Sequence, residues 1–394
     1  MYPDSFEWCP FRPNSRDLEN IRRDVSEVRN IQQTIVAKNK QLHFPDRVAH
    51  QYQIAGSKVL LRVAETLPAP LRDVGLFHLG AQHFGIGRIS TGLGTPHIET
   101  NPDFLGIMTA FQSPEGRRVD FLGINDPAAP TDNHKDFVDV LHATGESAAA
   151  ELPFVGDFGS YDVPSLIAEQ TAFALALKDR MGWFKALRTL SHLTKQTLRT
   201  FRSSTAYQTY WTGIEEIGGT AGKFTFVPIR DENRHPQIRP GERHLSEEWT
   251  ARQRSGGVEF QLYWIPFLNE EKTPTRTLTD GWEEDHKQLA GMVIFPQADP
   301  DSEEAILFAI LAAEMGANPG NWIHDREDAA REPATEFGNA RKIAYQISQT
   351  GRDALEPCFY HSAFETGEIG PDLAKELRRR RDSKTKMGHV NSAP

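Results

Sequence analysis

FGIGRISTG, residues 84–92, decides the fold. It is a short run of apolar and small residues with one arginine, Arg88, inside it. Runs of the same kind flank it: KVLLRVA (58–64), FLGIMTAFQ (104–112) and RRVDFLG (117–123). Gly, Pro and Asn separate them, and several such runs at close spacing predict strands of a β-barrel or sandwich. Further along come KFTFVPI (223–229), VEFQLYWIPF (258–267) and LAGMVIF (289–295). Arg88 is the anomaly, because a buried arginine needs an anionic partner.

Helical segments surround the strands. A Pro-rich start leads into a polar helix from about Arg16 to Lys38, and HKDFVDVLH (134–142) reads as helix. In 163–203, Phe173, Leu177, Trp183, Phe184, Leu187, Leu190 and Leu193 recur at helical intervals. Residues 302–315, 335–350 and 371–381 complete the helices, and the charged stretch from Arg378 onward reads as a disordered tail. Strands first, helices late and a helical insertion make an α+β protein.

The 394 residues carry a formal net charge of −10, against the basic face expected of a nucleic-acid binder. No apolar run reaches the ~18 residues of a membrane span. MYPDSFEWCPFRPNSRD lacks the plan of a secretory signal. Cys9 and Cys358 alone make neither a disulfide framework nor a zinc cluster. A reduced, cytoplasmic setting is expected.

Two familiar motifs fail. Gly85-Ile-Gly87 is followed by Ser90 where a dinucleotide-binding loop needs Gly. His78 and His83 lack a third zinc ligand nearby. Two spacings remain. In RKIAY (341–345), Arg341 and Tyr345 are four apart and share a helix face. A guanidinium there favours a charged phenolate, and tyrosinate is a haem-iron ligand. A surface pair is the plainer alternative. In DRVAHQY (46–52), Arg47 and His50 are three apart, and a neutral imidazole there can shuttle a peroxide's proton. A polar histidine at a strand start is the plainer alternative.

Taken together, these residues resemble the haem catalases and their smaller catalase-related relatives. Arg47 and His50 match the family's Arg-x-x-His before the first barrel strand. Arg88-Ile89-Ser90-Thr91 match its Arg-Phe-Ser-Thr, and the run Asp120 to Pro127 matches its Asp-Leu-Val-Gly-Asn-Asn-Thr-Pro. Phe137, ten residues past Pro127, matches a haem-stacking phenylalanine. Arg341, Tyr345 and Arg352 match the proximal helix. The resemblance implies haem b on Tyr345, Arg341 beside the phenolate, and propionates held by Arg47, Arg88 and Arg352. It further implies Ser90 and Phe137 among the residues that bind the cofactor, His50 as the distal base, and Asn125 as the candidate distal amide.

Four departures stand out. Counted from Pro127, the distal-amide position is Ile124, so either a local shift lets Asn125 serve or the distal pocket has lost its amide. Ala49 stands where catalases carry Val. The 163–203 insertion is larger than expected, and no flavodoxin-like domain follows. The expected organisation is an arm (1–43), an antiparallel barrel domain with the insertion (44–352), and a C-terminal helix and tail (353–394). The resemblance implies a homo-oligomer that consumes hydrogen peroxide or an organic hydroperoxide, with an organic donor as a further partner. A fatty-acid hydroperoxide-converting or peroxygenase-type enzyme, a non-catalytic haem sensor, and a haem-free barrel are the competing readings.

Overall fold

The computed structural model describes residue 11 and residues 14–38, 46–92, 99, 103–147, 163–200, 204–229, 243–321, 333–356 and 359–386. Helix α1 (Ser15–Lys38) comes first, then strands β1 (Gln53–Val63), β2 (Gln82–Thr91), β3 (Leu105–Gln112) and β4 (Arg118–Ile124). Helices α2 (His134–Ser147), α3 (Val163–Met181) and α4 (Trp183–Thr200) follow. Next are β5 (Tyr210–Thr212), β6 (Glu215–Ile217), β7 (Thr220–Pro228), α5 (His244–Ser255), β8 (Val258–Pro266) and β9 (Gln288–Phe295). Helices α6 (Glu303–Glu314), α7 (Glu336–Gly351), α8 (His361–Glu365) and α9 (Pro371–Lys386) end the described chain.

The strands pair antiparallel in the order β5-β4-β3-β2-β1-β9-β8-β7, and β5 pairs again with β7, so eight strands close a ring. Strand β6 continues along the same edge of β7. The α+β barrel expected from the alternating runs is therefore present.

Closure puts alternate side chains on opposite sides of the wall. Inside, Phe111 of β3, Phe121 of β4, Phe224 and Phe226 of β7, Phe260 of β8 and Phe295 of β9 are buried in one cluster. Phe224 stacks on Phe77 (5.5 Å, 7°) and meets Phe121 edge-on (5.0 Å, 88°). The interior is solid. Outside, Ile86, Met108 and Leu122 pack against α6, α8 and α9 through Phe308, Leu311, Phe364 and Leu377.

Several elements differ from expectation. Within the helical region expected over 163–203, the division between α3 and α4 falls at Gly182, whose φ of 78° suits glycine and whose N–H caps Lys178 O (2.9 Å). Helix α5 has few apolar residues to announce it. Leu245 and Trp249, four apart, bury one stripe on the barrel, Trp249 edge-on to Phe295 at 5.0 Å. The C-terminal helix runs on to Lys386 instead of giving way to a tail at Arg378. Leu373, Ala374 and Leu377 bury its inner face. Arg379 and Arg380 pair with Glu376, Arg378 with Glu303, and Lys384 with Glu314, so the charges are used along a helix. The expected tail beyond residue 386 lies outside the described residues, as do Cys9 and Cys358. The N-terminal helix is docked on its own chain: Ile21, Val25, Val28 and Ile31 pack on Val138, Leu141, Ala340 and Ala344. No helix among the described residues is long and apolar enough to cross a membrane.

Candidate active site

The cavity lies outside the barrel wall, between β2, β3 and β4 and the helix α7. Alternation explains it. On β2, Ile89 points into the barrel, so Arg88 and Ser90 point out. On β3, Leu105 and Ile107 belong to the interior cluster and Gly106 lies between them. Arg47, His50, Arg88, Ser90, Phe137, Arg341, Tyr345 and Arg352 all line one cavity of about 250 Å³. Residues more than three hundred positions apart, Arg47 and Arg352, thus meet at one site.

His50 is held by its backbone and its ring. Its φ is 56°, a conformation that costs about 1–3 kcal/mol in a non-glycine residue and persists only when neighbours fix it. Those neighbours are visible. The His50 N–H donates to Gly92 O (2.9 Å), and Arg88 Nη2 donates to His50 O (2.7 Å). The ring Nδ1 is 3.2 Å from Ser90 Oγ. A Cβ on Gly106 would stand 2.4 Å from Nδ1, so the imidazole rests where only glycine leaves room. Burial first, then the Arg88 charge, hold the imidazole down at about 4, with Arg341 adding to the effect against Asp103. At neutral pH the ring is therefore uncharged.

Helix α7 starts at Thr335, whose hydroxyl accepts from the Gly338 N–H (3.0 Å). That start sets the face on which Arg341 and Tyr345 stand. The Arg341 guanidinium lies 5.7 Å from the Tyr345 ring centre and 5.9 Å from that of Phe337. Arg341 forms no ion pair with another described residue. Phe137 meets Phe337 edge-on at 5.2 Å.

Three guanidiniums collect at one end of the cavity. Arg88 Nε donates to Gln53 Oε1 (3.1 Å) and Nη2 to Gln51 O (3.1 Å). Arg47 donates to Ala313 O (2.8 Å) and Arg352 to Met315 O (2.8 Å), the carbonyl end of α6, where the helix dipole is negative. Asp46 lies 3.7 Å from Arg47. Burial alone would raise the Asp46 carboxyl, but Arg47 and Arg352 hold it low. Glu314, which also acts on Arg352, is already paired with Arg380 and Lys384, and Asp46 does not neutralise the three. Burial and Arg47 bring Arg352 down to about 9, and the same causes push Arg88 well below the usual arginine range. The cluster is built to receive negative charge.

Asn125 does not join the site. Its Oδ1 accepts from the Leu105 N–H (2.8 Å), its own N–H donates to Leu105 O (3.0 Å), and it is not part of the lining. Ile124 lines the cavity instead, in register with Gly106 beside the His50 seat. The structure therefore brings Ile124, and not Asn125, to the cavity, since strand neighbours face opposite ways. The Asn125 Nδ2 is buried without a hydrogen-bond partner among the described residues.

Four features escaped the sequence reading: the Gly106 seat, the α6 carbonyls, Asp46 and Lys223. Lys223 lines the far end of the cavity, with Nζ donating to Pro127 O (3.1 Å) over the Trp282 ring (4.8 Å). Burial holds its ammonium down at about 7, against Glu284 and Asp126. Tyr360, a second tyrosine of the C-terminal region, is buried away from the cavity and bonded to Arg118 (2.7 Å). His83 bonds Leu76 O (2.9 Å) and His78 sits 3.6 Å from Asp73, and no metal-binding cluster occurs among the described residues.

Solved structures share this architecture. A bacterial catalase superposes with a TM-score of 0.56 at 18% identity, covering 80% of this chain and 59% of that one. The fold is that of the catalases. A fungal catalase gives 0.57 at 14% identity (85% and 63% covered), and catalase A from Saccharomyces cerevisiae 0.56 at 14% (82% and 63%). The chain thus spans 59–63% of the length of these structures. No family model matches the chain, and no curated protein matches it.

The residues present fit a haem in this catalase fold. Tyr345 offers a hard oxygen donor beside an arginine, the guanidinium cluster suits two carboxylates, and the uncharged His50 shares the same cavity.

Proposed function

We propose that the protein is a haem-dependent oxidoreductase that consumes peroxides. One observation carries this reading: a single cavity unites His50 on its glycine seat, the Arg341–Tyr345 pair, and a guanidinium cluster short of anions. Tyr345 would hold the iron, Arg341 would balance the phenolate charge, and Arg47, Arg88 and Arg352 would hold the propionates. Haem bound there would supply the redox-active iron for breaking the O–O bond. The chain's own part is proton handling. With the Nδ1 proton directed to Ser90 Oγ, the Nε2 lone pair of His50 accepts the peroxide's inner proton. Nε2 would then hold that proton within reach of the other peroxide oxygen, whose departure as water or alcohol would draw its electrons from the bound haem.

The choice of peroxide follows from Ile124. Loss of a polar group aimed at a reacting oxygen costs about 2.7–4 kcal/mol of transition-state stabilisation in comparable sites. The same cavity reaches Phe173 of α3 and Leu193 of α4, so an apolar chain finds apolar walls. These two observations favour an organic hydroperoxide, including a fatty-acid hydroperoxide, over rapid disproportionation of hydrogen peroxide. Oxygen release compared with guaiacol oxidation tests this on purified protein: vigorous oxygen release without donor oxidation refutes the organic-peroxide preference.

Haem binding itself is tested by the absorption spectrum of protein produced with ample iron. A high-spin ferric spectrum is expected, and Tyr345→Phe is expected to abolish or shift it. A colourless protein that haem cannot load refutes the reading. A normal spectrum without peroxide turnover leaves a non-catalytic haem protein.

A further inference from the structure

The α3–α4 hairpin has an inner face and an outer face with different chemistry. Ala186 is buried, and Phe173 and Leu193 line the cavity. Outward, beyond the turn at Gly182, Trp183 is 57% exposed, Phe184 90% and Leu187 46%, with Leu175 of α3 at 51%. These are four of the nine large apolar side chains exposed among the described residues. They sit in a run of peculiar charge. Between Asp179 and Glu215 the sequence has no acidic residue and six basic ones, Arg180, Lys185, Arg188, Lys195, Arg199 and Arg202, in a chain of formal net charge −10.

The cations divide by role. Lys185 reaches back to Asp136 (2.5 Å) and Arg180 toward Asp139 (3.7 Å), pinning the hairpin to α2. Arg188 and Lys195 are exposed and form no ion pair with a described residue. Asp179, the acidic residue nearest the turn, is paired with Lys178 (3.4 Å). An aromatic first turn followed by unpaired basic residues is the pattern of a helix that lies in a membrane interface without crossing it. A second copy of the chain fits less well, because a two-fold contact here would set Arg188 and Lys195 against their own likes.

We propose that the α3–α4 hairpin docks the protein on an anionic lipid surface. Trp183, Phe184 and Leu187 enter the boundary between headgroups and acyl chains, and Arg188 and Lys195 meet the lipid phosphates. The proposal does not depend on haem or on peroxide turnover.

The test is flotation of the full chain with vesicles. Phosphatidylcholine mixed with phosphatidylglycerol is expected to carry the protein, phosphatidylcholine alone is not, and added salt releases it. The double variant W183S/F184S is expected to weaken binding about tenfold or more. R188E/K195E is expected to do the same. F359S removes a half-exposed aromatic elsewhere and is expected to change nothing. Absence of flotation, equal flotation with both vesicles, or an F359S loss as large as that of the hairpin variant overturns the proposal. So does a fall in sedimentation coefficient for W183S/F184S with vesicle binding intact, which makes the face a contact between copies.

Discussion

The two faces of the barrel wall use the same strands for opposite ends. Along β3 and β4, Phe111 and Phe121 fill the interior, while Gly106 and Ile124 border the cavity outside. The interior is apolar and dense, with aromatic rings edge-on to one another. The exterior is charged and incompletely paired, with a strained histidine and three guanidiniums that Asp46 does not neutralise. A period of two residues lets one strand serve stability and chemistry without mixing them. Substitutions inside the barrel are therefore expected to act on stability first, and those in the cavity on chemistry first, with small, pH-dependent effects on stability.

The sharpest check is His50→Gln. Peroxide turnover is expected to fall about 100- to 10,000-fold as the proton acceptor disappears, with the denaturation midpoint little changed. A turnover loss matched by a collapse in stability would break the separation. Next is Phe224→Ala, inside the barrel, where the ring packs on Phe77, Phe121 and Trp264. A loss of about 3–5 kcal/mol in urea unfolding is expected. A smaller loss would mean that the interior is less tightly packed than its ring contacts imply.

Acid distinguishes the faces too. The folded His50 takes up its proton only near pH 4, whereas an unfolded histidine does so near 6.5. The unfolded state therefore binds more protons between those values, and its share of stability is present above 6.5 and lost as pH falls toward 4. His50→Gln is expected to flatten that part of the stability–pH curve. The smallest effect expected is at Lys223. Folding lowers its ammonium from the ordinary 10.5 to about 7, so wild-type stability rises with pH across that interval. Lys223→Met removes the dependence and is expected to raise stability at neutral pH by about 1 kcal/mol, read as a higher melting temperature.

Much of this was legible because the chemistry keeps fixed spacings. Arg47 and His50 lie in one short segment before β1, Arg88 to Ser90 on β2, and Arg341 to Tyr345 on α7, so local geometry carries each set into the same cavity. What the sequence hid depends on contacts between elements. Gly106 looked like any glycine in a strand until the His50 ring was found resting on it. The carbonyls that Arg47 and Arg352 engage have no side-chain signature at all. Asn125 was misplaced because adjacent strand residues differ by one position in sequence and by a whole face in space. Helix α5 was missed because a stripe of two apolar residues is too thin to show a period. The charged end of α9 looked like a tail because its partners, Glu303 and Glu314, lie on α6, some seventy residues earlier.

Gln32 of α1 donates through one amide nitrogen to Asp46 O (2.6 Å) and to Ser348 O (3.1 Å), spanning 316 positions. A Cβ on Gly351 would stand 2.5 Å from its Oε1, so α7 must arrive in one register. During synthesis this knot cannot be tied until the ribosome has passed residue 348. Contacts of such span carry a high loop-closure cost and form late. The contact that fixes the register of α7, and with it one wall of the cavity, is therefore expected to form late in folding.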